Sequence, residues 1–261
     1  MDRHLLRRFL ELYPFQPATA VWRASEIAAL ARGPVPSGRG LDLGCGDGRL
    51  TRVLTEQWGS LRLTGLDVDP LETALAREEG LYDRVHTASG EHIPEPDAAF
   101  DFVVSVSVME HIPRLEAVLR EVGRVLKPGG ALIATVPGIG FHRCLRGPLL
   151  PGTSRAGYLE ALDRRLAHLR YWTVAEWRSA LAHAGMQLVE ARPILSRGEV
   201  RRWETISRAT AGVLHALFRR KPPIEIQRSL GLRRPGQRLP SPLPAVFSWL
   251  LPPSSTARSA M

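Results

Sequence analysis

The sequence predicts an α/β fold in which a mostly parallel β-sheet is flanked by helices. A short strand-like run at residues 41–43 leads into a glycine-rich turn and then into apolar residues at helical spacing. Residues 102–108 form a near-continuous apolar and β-branched run, which is typical of a strand buried on both faces. Further strand patterns at 61–67, 85–88 and 131–137 alternate with helical patterns, and a last one follows at 187–191. This alternation indicates parallel strands joined by helices.

Length and charge suggest one α/β domain with a basic C-terminal extension. The 261 residues suffice for one substantial α/β core, and 44% hydrophobic with 23% charged residues is typical of a globular protein. The net charge of +9 is uneven, because residues 192–261 hold 13 of the 35 Lys and Arg residues and only three acids. Basic charge therefore belongs to the C-terminal part of the chain, not to the predicted sheet.

Cysteine content and hydropathy predict a cytoplasmic protein. Cys45 and Cys144 are the two cysteines, which make no disulfide framework and suggest free thiols in a reducing compartment. The N-terminus has no apolar run of signal-peptide length, and no window has the ~20 apolar residues of a spanning helix. Peripheral attachment to the inner membrane surface stays open as an alternative.

The glycine-rich turn follows the spacing Asp-x-Gly-x-Gly-x-Gly from Asp42 to Gly48. Glycine has no Cβ, so the backbone of such a turn can approach a bulky ligand closely. The spacing differs from a dinucleotide fingerprint, because Arg49 and Thr51 stand where its third glycine would fall. A nucleotide-like ligand other than a redox dinucleotide is therefore predicted.

Asp67 ends the second predicted strand, 21 positions beyond Gly46. A carboxylate at the tip of this strand can accept hydrogen bonds from both hydroxyls of a ribose. The turn and Asp67 together predict a site for a ligand that carries a ribose.

The segment 42–48 resembles motif I of the class I, Rossmann-like S-adenosylmethionine-dependent methyltransferases. Residues 109–113 and 124–130 resemble further segments of that family, and the resemblance covers about residues 38–192. It implies a Rossmann-like sheet of seven strands and S-adenosylmethionine as cofactor. Ser89 departs from the family pattern, which usually has an aspartate there. The implied cofactor-binding residues are Asp42, Gly44, Cys45, Gly46, Gly48, Asp67, Val68, Ser89, Gly90, Glu91, Ser105 and Ser107.

The end of the fourth strand holds the predicted catalytic residues, Glu110 and His111. Ligands of open α/β sheets bind beyond the carboxyl ends of the strands, and a histidine can take the proton of a hydroxyl. His111 is therefore the candidate base, with a purely structural role as the alternative. The predicted reaction is methyl transfer to a small or lipid-linked acceptor at oxygen, and residues 138–170 are expected to form the acceptor pocket. No metal is expected.

Three segments are predicted around this core. Residues 1–37 are helical and serve either as a lid over the site or as core packing. Residues 38–196 form the methyltransferase core. Residues 197–261 form a basic amphipathic extension that contacts an anionic membrane or an acidic partner, or packs on the body, and its end is expected to be flexible.

Two other functions remain open. The arginine-rich tail would suit an RNA-modifying methyltransferase, but residues 106–110 lack the Asn- or Asp-Pro-Pro-Tyr type of motif that relatives use for base amines, so a nucleic acid is disfavoured. A non-catalytic module that binds S-adenosylmethionine is disfavoured by the intact turn and Asp67. The oligomeric state is not predicted.

Overall fold

The computed structural model describes residues 2–13, 16–149 and 151–212, together with Glu225 and Arg228. They fall into two compact units, one within Met1–Gly33 and Ile194–Met261 and the other within Pro34–Pro193. The strands are β1 Arg39–Leu43, β2 Arg62–Asp67, β3 Arg84–Thr87, β4 Phe100–Val106 and β5 Leu126–Thr135. The α-helices are α1 Arg3–Leu12, α2 Pro17–Leu30, α3 Arg49–Trp58, α4 Pro70–Glu79, α5 Leu115–Val125, α6 Gly140–Cys144, α7 Arg155–Leu166, α8 Val174–His183 and α9 Arg197–Ser207.

The larger unit contains a parallel sheet with the strand order β3-β2-β1-β4-β5. Leu41 of β1 lies opposite Thr64 on one side and Val103 on the other, so β1 is central. The chain moves outward from β1 through β2 to β3 and then crosses to the other side of β1 at β4. This reversal creates a crevice at the carboxyl ends of β1 and β4, where ligands of such sheets bind.

Helix α5 covers one face of the sheet with a stripe of apolar residues at helical spacing. Val118, Leu119 and Val122 are buried in one cluster with Leu41 and Val103 of the strands. Full burial of each such side chain stabilises the fold by about 1.5–3 kcal/mol. The stripe fixes the central strands and thereby the crevice at their ends.

Polar side chains cap the first turns of α4 and α8. The Asp69 carboxylate accepts hydrogen bonds from the backbone amides of Leu71 and Glu72 at the start of α4. Thr173 and Glu176 form a reciprocal capping box at the start of α8. In both places a short polar side chain satisfies backbone donors that a first helical turn leaves unpaired.

The described residues form five of the seven strands that the family resemblance implied. The strand predicted at 187–191 is wrong, since this segment joins no strand ladder of the described sheet and Val189 is 92% exposed. Gly185, at φ +75°, ends the turn after α8, and the chain then runs on without the backbone partners that define a strand. The fifth strand begins earlier than predicted, with residues 127–130 bulging between two paired stretches.

The smaller unit packs the N-terminal helices with α9. Trp22 of α2 and Trp203 of α9 meet edge to face, with ring centroids 5.3 Å apart. Trp203 belongs to the extension for which the sequence left contact with a membrane or an acidic partner and packing on the body open, and it is only 5% exposed. The Trp203 ring therefore packs within this unit.

Other parts of the tail prediction lie outside the described residues. These are the continuation of the amphipathic helix from Val213 to Phe218, most of the expected flexible end at 228–261, and the apolar stretch at 243–251. The lid remains a prediction. No helix in the described part of the chain is both long and apolar enough to cross a membrane.

Candidate active site

The glycine-rich turn lies at the carboxyl end of β1. Gly44, Gly46 and Gly48 have φ angles of +79°, +53° and +79°, which glycine adopts without a Cβ penalty. The amides of Gly44 and Cys45 both donate to the Leu66 carbonyl, at 2.8 and 3.1 Å. The turn is thus fastened to the neighbouring strand and keeps its backbone close to the crevice.

Asp42 lies beneath this turn with a side chain buried from solvent. Its Oδ2 accepts hydrogen bonds from the hydroxyls of Thr51 and Tyr82, both at 2.6 Å. Burial raises the pKa of this carboxyl to about 6, although the two hydroxyls oppose the shift. Asp42 therefore braces the turn from below, and Tyr82 is a partner that the sequence analysis missed.

Asp67 connects the tip of β2 to the same turn. Its Oδ2 accepts the Gly46 amide and its Oδ1 accepts the Asp69 amide, each at 2.9 Å. Burial raises the pKa of Asp67, and these two amides partly offset the rise. The next residue, Val68, is 67% exposed at the strand tip, where it offers apolar surface to a ligand. The structure brings the predicted adenosine-binding elements together.

The segment after β3 contains the predicted residues Ser89, Gly90 and Glu91. The Ser89 hydroxyl accepts the Glu91 amide at 3.2 Å, and Glu91 pairs with Arg114 at 2.6 Å. Gly90 is buried, and an added Cβ would stand 3.0 Å from Leu43. Gly90 therefore has a packing role, and a cofactor contact by these three residues stays a prediction.

Some predicted residues lie deeper than a ligand contact would suggest. Ser105 is fully buried, and its hydroxyl donates to the Leu43 carbonyl at 3.0 Å, which ties β4 to β1. Cys45 is buried as well, and burial strongly raises the pKa of its thiol. A thiol with a raised pKa is a poor nucleophile. The cofactor contacts predicted for both residues remain predictions.

The end of β4 touches the glycine turn. A Cβ at Gly44 would stand 2.5 Å from both γ-carbons of Val108. The loop after β1 and the loop after β4 are therefore in tight contact. Ser107, just before, has φ +51°, a rare conformation outside glycine, and its amide bonds to the Thr135 carbonyl at 3.0 Å. Such unusual backbone at a strand end accords with a functional role.

Glu110 and His111 follow in a short 3₁₀ helix at Met109–His111. The Nδ1 atom of His111 lies 2.8 Å from the Ala167 carbonyl oxygen. A carbonyl can only accept, so Nδ1 carries the proton and Nε2 of the neutral ring carries the lone pair. Nε2 is 3.8 Å from Oε1 of the buried Glu110. The two predicted catalytic side chains therefore lie side by side.

The connection between α7 and α8 holds this segment in place. The Arg170 guanidinium donates to the carbonyls of Met109, Ile112 and Pro113, at 2.8 and 3.0 Å for the first and last. The Leu169 amide donates to the Glu110 carbonyl at 2.9 Å. Arg170 was not predictable from the sequence, because no local pattern links it to residues some 60 positions earlier.

A polar chain extends from His168 through the predicted acceptor segment. His168 Nδ1 is 2.8 Å from the Tyr171 hydroxyl, which donates to Asp163 at 2.5 Å. His142 Nε2 reaches the same Asp163 oxygen at 2.9 Å, and Phe141 stacks on Tyr171 at 5.9 Å. Through His168, whose ring contacts His111, these aromatic and histidine side chains join the segment that follows β4. Asp163 was not among the residues predicted from the sequence.

The described geometry matches a known domain family. A family model described as a methyltransferase domain matches residues 41–134, which include most of β1, the glycine turn, Asp67, β4 and nearly all of β5. Residues 41–134 form a class I methyltransferase domain. S-adenosylmethionine is the cofactor of this family. That the turn and Asp67 bind it stays a prediction.

Curated relatives and solved structures agree with this assignment. Sterol 24-C-methyltransferase ERG6B of Gibberella zeae is 35% identical over 117 residues, 42% of this chain and 30% of that protein. The ubiquinone biosynthesis O-methyltransferase of Nitrosococcus oceani is 37% identical over 95 residues, 34% of this chain and 39% of that protein. The chain is also similar in structure to the [4+2]-cyclase SpnF, whose crystal structure is known. The TM-score is 0.55 and the sequence identity 25%, over 77% of this chain and 70% of the SpnF chain.

The similarity to these two curated proteins is confined to part of their length. This chain spans about a third of the length of each of the two. The acceptor pocket predicted at residues 138–170 lies beyond the residues that the family model matches, whereas Glu110 and His111 lie within them. Below, the cofactor half of the site means the glycine turn with Asp67, and the acceptor half means Glu110 and His111 with the segment 163–171.

Proposed function

We propose that this chain transfers the methyl group of S-adenosylmethionine to a hydroxyl oxygen of a small or lipid-linked acceptor. The observation that carries the proposal is the hydrogen bond from His111 Nδ1 to the Ala167 carbonyl. It leaves the basic lone pair on Nε2, at the strand end where an acceptor would meet the methyl group.

The chemistry needs alignment more than activation. The sulfonium of the cofactor is already a good leaving group, so holding acceptor, methyl and sulfur in line can supply about 7–11 kcal/mol of the barrier. Removal of the hydroxyl proton by a positioned base adds about 10²–10⁴-fold. In the proposed mechanism His111 takes this proton, and the nearby Glu110 carboxylate stabilises the imidazolium that forms.

The acceptor class is inferred from relatives and from the aromatic lining. One relative methylates a sterol and another acts in ubiquinone biosynthesis at oxygen. Phe141 and Tyr171 both contact the ring of His168, which lies beside His111. These aromatic surroundings favour an apolar acceptor. Because SpnF is a cyclase on a similar fold, transfer of the methyl group must be tested directly.

The test measures transfer of labelled methyl from S-adenosylmethionine into lipid and aqueous fractions of a cell extract. We expect label in the lipid fraction, and His111→Ala should lower the rate by about 10²–10⁴-fold while removing the acid limb of the pH–rate profile. His183→Ala is the matched control, because His183 lies on exposed α8 and bonds only within its own helix.

Binding of S-adenosylhomocysteine should be the same in all three proteins, which separates loss of chemistry from loss of fold. Label that appears in neither fraction would contradict methyl transfer. A His111→Ala protein with an unchanged rate and pH profile would contradict the role of the base and leave His111 as a structural residue.

A further inference from the structure

Three side chains with metal-binding atoms converge at the end of β4. Glu110, His111 and His168 each offer one such atom, and these atoms all lie within 4.8 Å of one another. Glu110 is buried, His168 is half-buried and His111 is exposed, so the cluster opens to solvent on one side. A small ion would have both a set of ligands and a route of entry.

We propose that Glu110, His111 and His168 bind a divalent transition-metal ion. Two imidazoles and one carboxylate favour Zn²⁺ and neighbouring transition metals, whereas Mg²⁺ and Ca²⁺ prefer oxygen ligands alone. Three protein ligands also leave a coordination position for water or substrate, as in catalytic zinc sites. The sequence predicted no metal because His168 lies far along the chain from the other two ligands.

Hydrogen bonds behind the cluster orient both imidazoles. His111 donates from Nδ1 to the Ala167 carbonyl, so its Nε2 carries the lone pair. The Tyr171 hydroxyl donates to Asp163, so the 2.8 Å contact from His168 is an Nδ1–H donated to the Tyr171 oxygen. His168 therefore also carries its lone pair on Nε2. Metal-ligating histidines characteristically use one nitrogen for the ion and donate the other N–H to a carbonyl or a polar partner.

The outer partners are themselves anchored. Ala167 ends α7 with φ +56°, a conformation uncommon for alanine, and its carbonyl is thereby turned toward His111. Asp163 holds Tyr171 and also accepts from His142 at 2.9 Å. Both histidines of the cluster are thus held by α7 and the residues that follow it.

The use of the ion in catalysis rests on the proposed function, whereas its binding does not. An acceptor hydroxyl at the open coordination position would have a lowered pKa and would release its proton to the solvent. The oxygen would then attack the methyl carbon as the bond from carbon to sulfur breaks. With the ion bound, His111 is a ligand, so metal coordination and direct proton removal by Nε2 are mutually exclusive.

The experiment titrates the full chain, freed of metal, with Zn²⁺ by calorimetry and with Co²⁺ by visible absorption. We expect one equivalent to bind, with the intense d–d bands of tetrahedral Co²⁺. His168→Ala should weaken binding by more than about a hundredfold, because outer partners alone are worth ten- to a hundredfold. Tyr171→Phe, which removes only such a partner, should cost about ten- to a hundredfold.

His183→Ala is the matched control, since it removes a histidine outside the cluster and should leave the titration unchanged. Unchanged S-adenosylhomocysteine binding and thermal midpoint would show that each variant is folded. If His168→Ala does not fold, Tyr171→Phe and Glu110→Gln supply the same comparison.

The absence of a stoichiometric site, or binding equal in wild type and His168→Ala, would overturn the proposal. Metal binding without any methyl transfer would instead contradict the proposed function and leave the ion site standing. Methyl transfer that persists after chelation would reject a catalytic use of the ion.

Discussion

The cofactor half and the acceptor half of the site are built in different ways. The cofactor half is made largely from backbone, with the amides of Gly44, Cys45 and Gly46 held by β2 within a short stretch of sequence. The acceptor half is made from side chains, and Arg170 and His111 join two segments some 60 residues apart. The first construction tolerates little change in shape, whereas the second can change by substitution of single side chains.

The largest effect is expected where the two halves meet. Gly44→Ala would place a Cβ 2.5 Å from both γ-carbons of Val108, in a backbone conformation with φ +79°. Overpacking and left-handed strain each cost about 1–3 kcal/mol, so we expect a loss of about 3 kcal/mol or more in the free energy of unfolding. Urea denaturation measures it.

Gly46→Ala is the matched control for this comparison. Its φ is +53°, but the nearest atom to an added Cβ, a Glu72 carboxylate oxygen, is 3.9 Å away. We expect only the strain of about 1–2 kcal/mol, together with weaker binding of S-adenosylhomocysteine by calorimetry. If both variants lose equal stability, the contact between the halves is looser than the structure indicates.

We expect the free energy of unfolding to depend on pH through Asp42, which lies beneath the glycine turn. The pKa of Asp42 is raised from 3.8 to about 6, so the folded protein keeps this proton in a range where the unfolded chain loses it. The contribution to stability is therefore full below about pH 4 and falls as pH rises to 6, by about 3 kcal/mol in all. The raised pKa of Asp67 acts in the same direction.

Asp42→Asn should remove the Asp42 part of this slope. One amide oxygen can accept both hydroxyl bonds, because Thr51 and Tyr82 donate to the same carboxylate oxygen. The measurement compares the urea midpoints of the wild type and of Asp42→Asn from pH 4 to 7.5. Groups that titrate equally in both proteins cancel in the difference between the two midpoints. Parallel pH profiles would mean that Asp42 is ionised throughout this range.

The smallest effect is expected from a change confined to the acceptor half. Arg170→Lys keeps the charge, but a single ammonium cannot reproduce the fork that reaches three carbonyls. Since charged hydrogen bonds are worth about 1.5–3 kcal/mol, methyl transfer should fall about ten- to a hundredfold. Cofactor affinity should not change.

Arg178→Lys is its control, on the exposed surface of α8. A parallel loss of S-adenosylhomocysteine binding in Arg170→Lys would show that the two halves are not separable, and an equal loss of activity in Arg178→Lys would point to a general effect of the substitution.

The sequence could predict the cofactor half because its determinants are contiguous. Three glycines at fixed spacing and an acid after the next strand indicate both the fold and the ligand, and the structure brings them together. Tyr82 was not predictable, because its hydrogen bond to Asp42 depends on how the loop between α4 and β3 packs against the end of β1. Residue type also does not show where a side chain points: the Ser105 hydroxyl donates to the Leu43 carbonyl, a bond that the sequence did not indicate.

The acceptor half could be located but not assembled from sequence. Glu110 and His111 were placed at the end of β4, while the links to Asp163, Arg170 and Tyr171 needed the three-dimensional path of residues 145–173. No periodicity encodes a contact between irregular segments so far apart. The strand predicted at 187–191 failed for a related reason, because a suitable alternation of side chains does not supply a neighbouring strand.

The Leu66 carbonyl, which accepts from two successive amides of the glycine turn, also fixes how many residues the turn can have. An insertion or deletion there would break both bonds and leave two amides unsatisfied beside the crevice. Changes of chain length are therefore confined to other connections. In distant homologues, the number of residues between the strand equivalent to β1 and the helix equivalent to α3 should therefore be kept more strictly than the identity of any one residue of the turn.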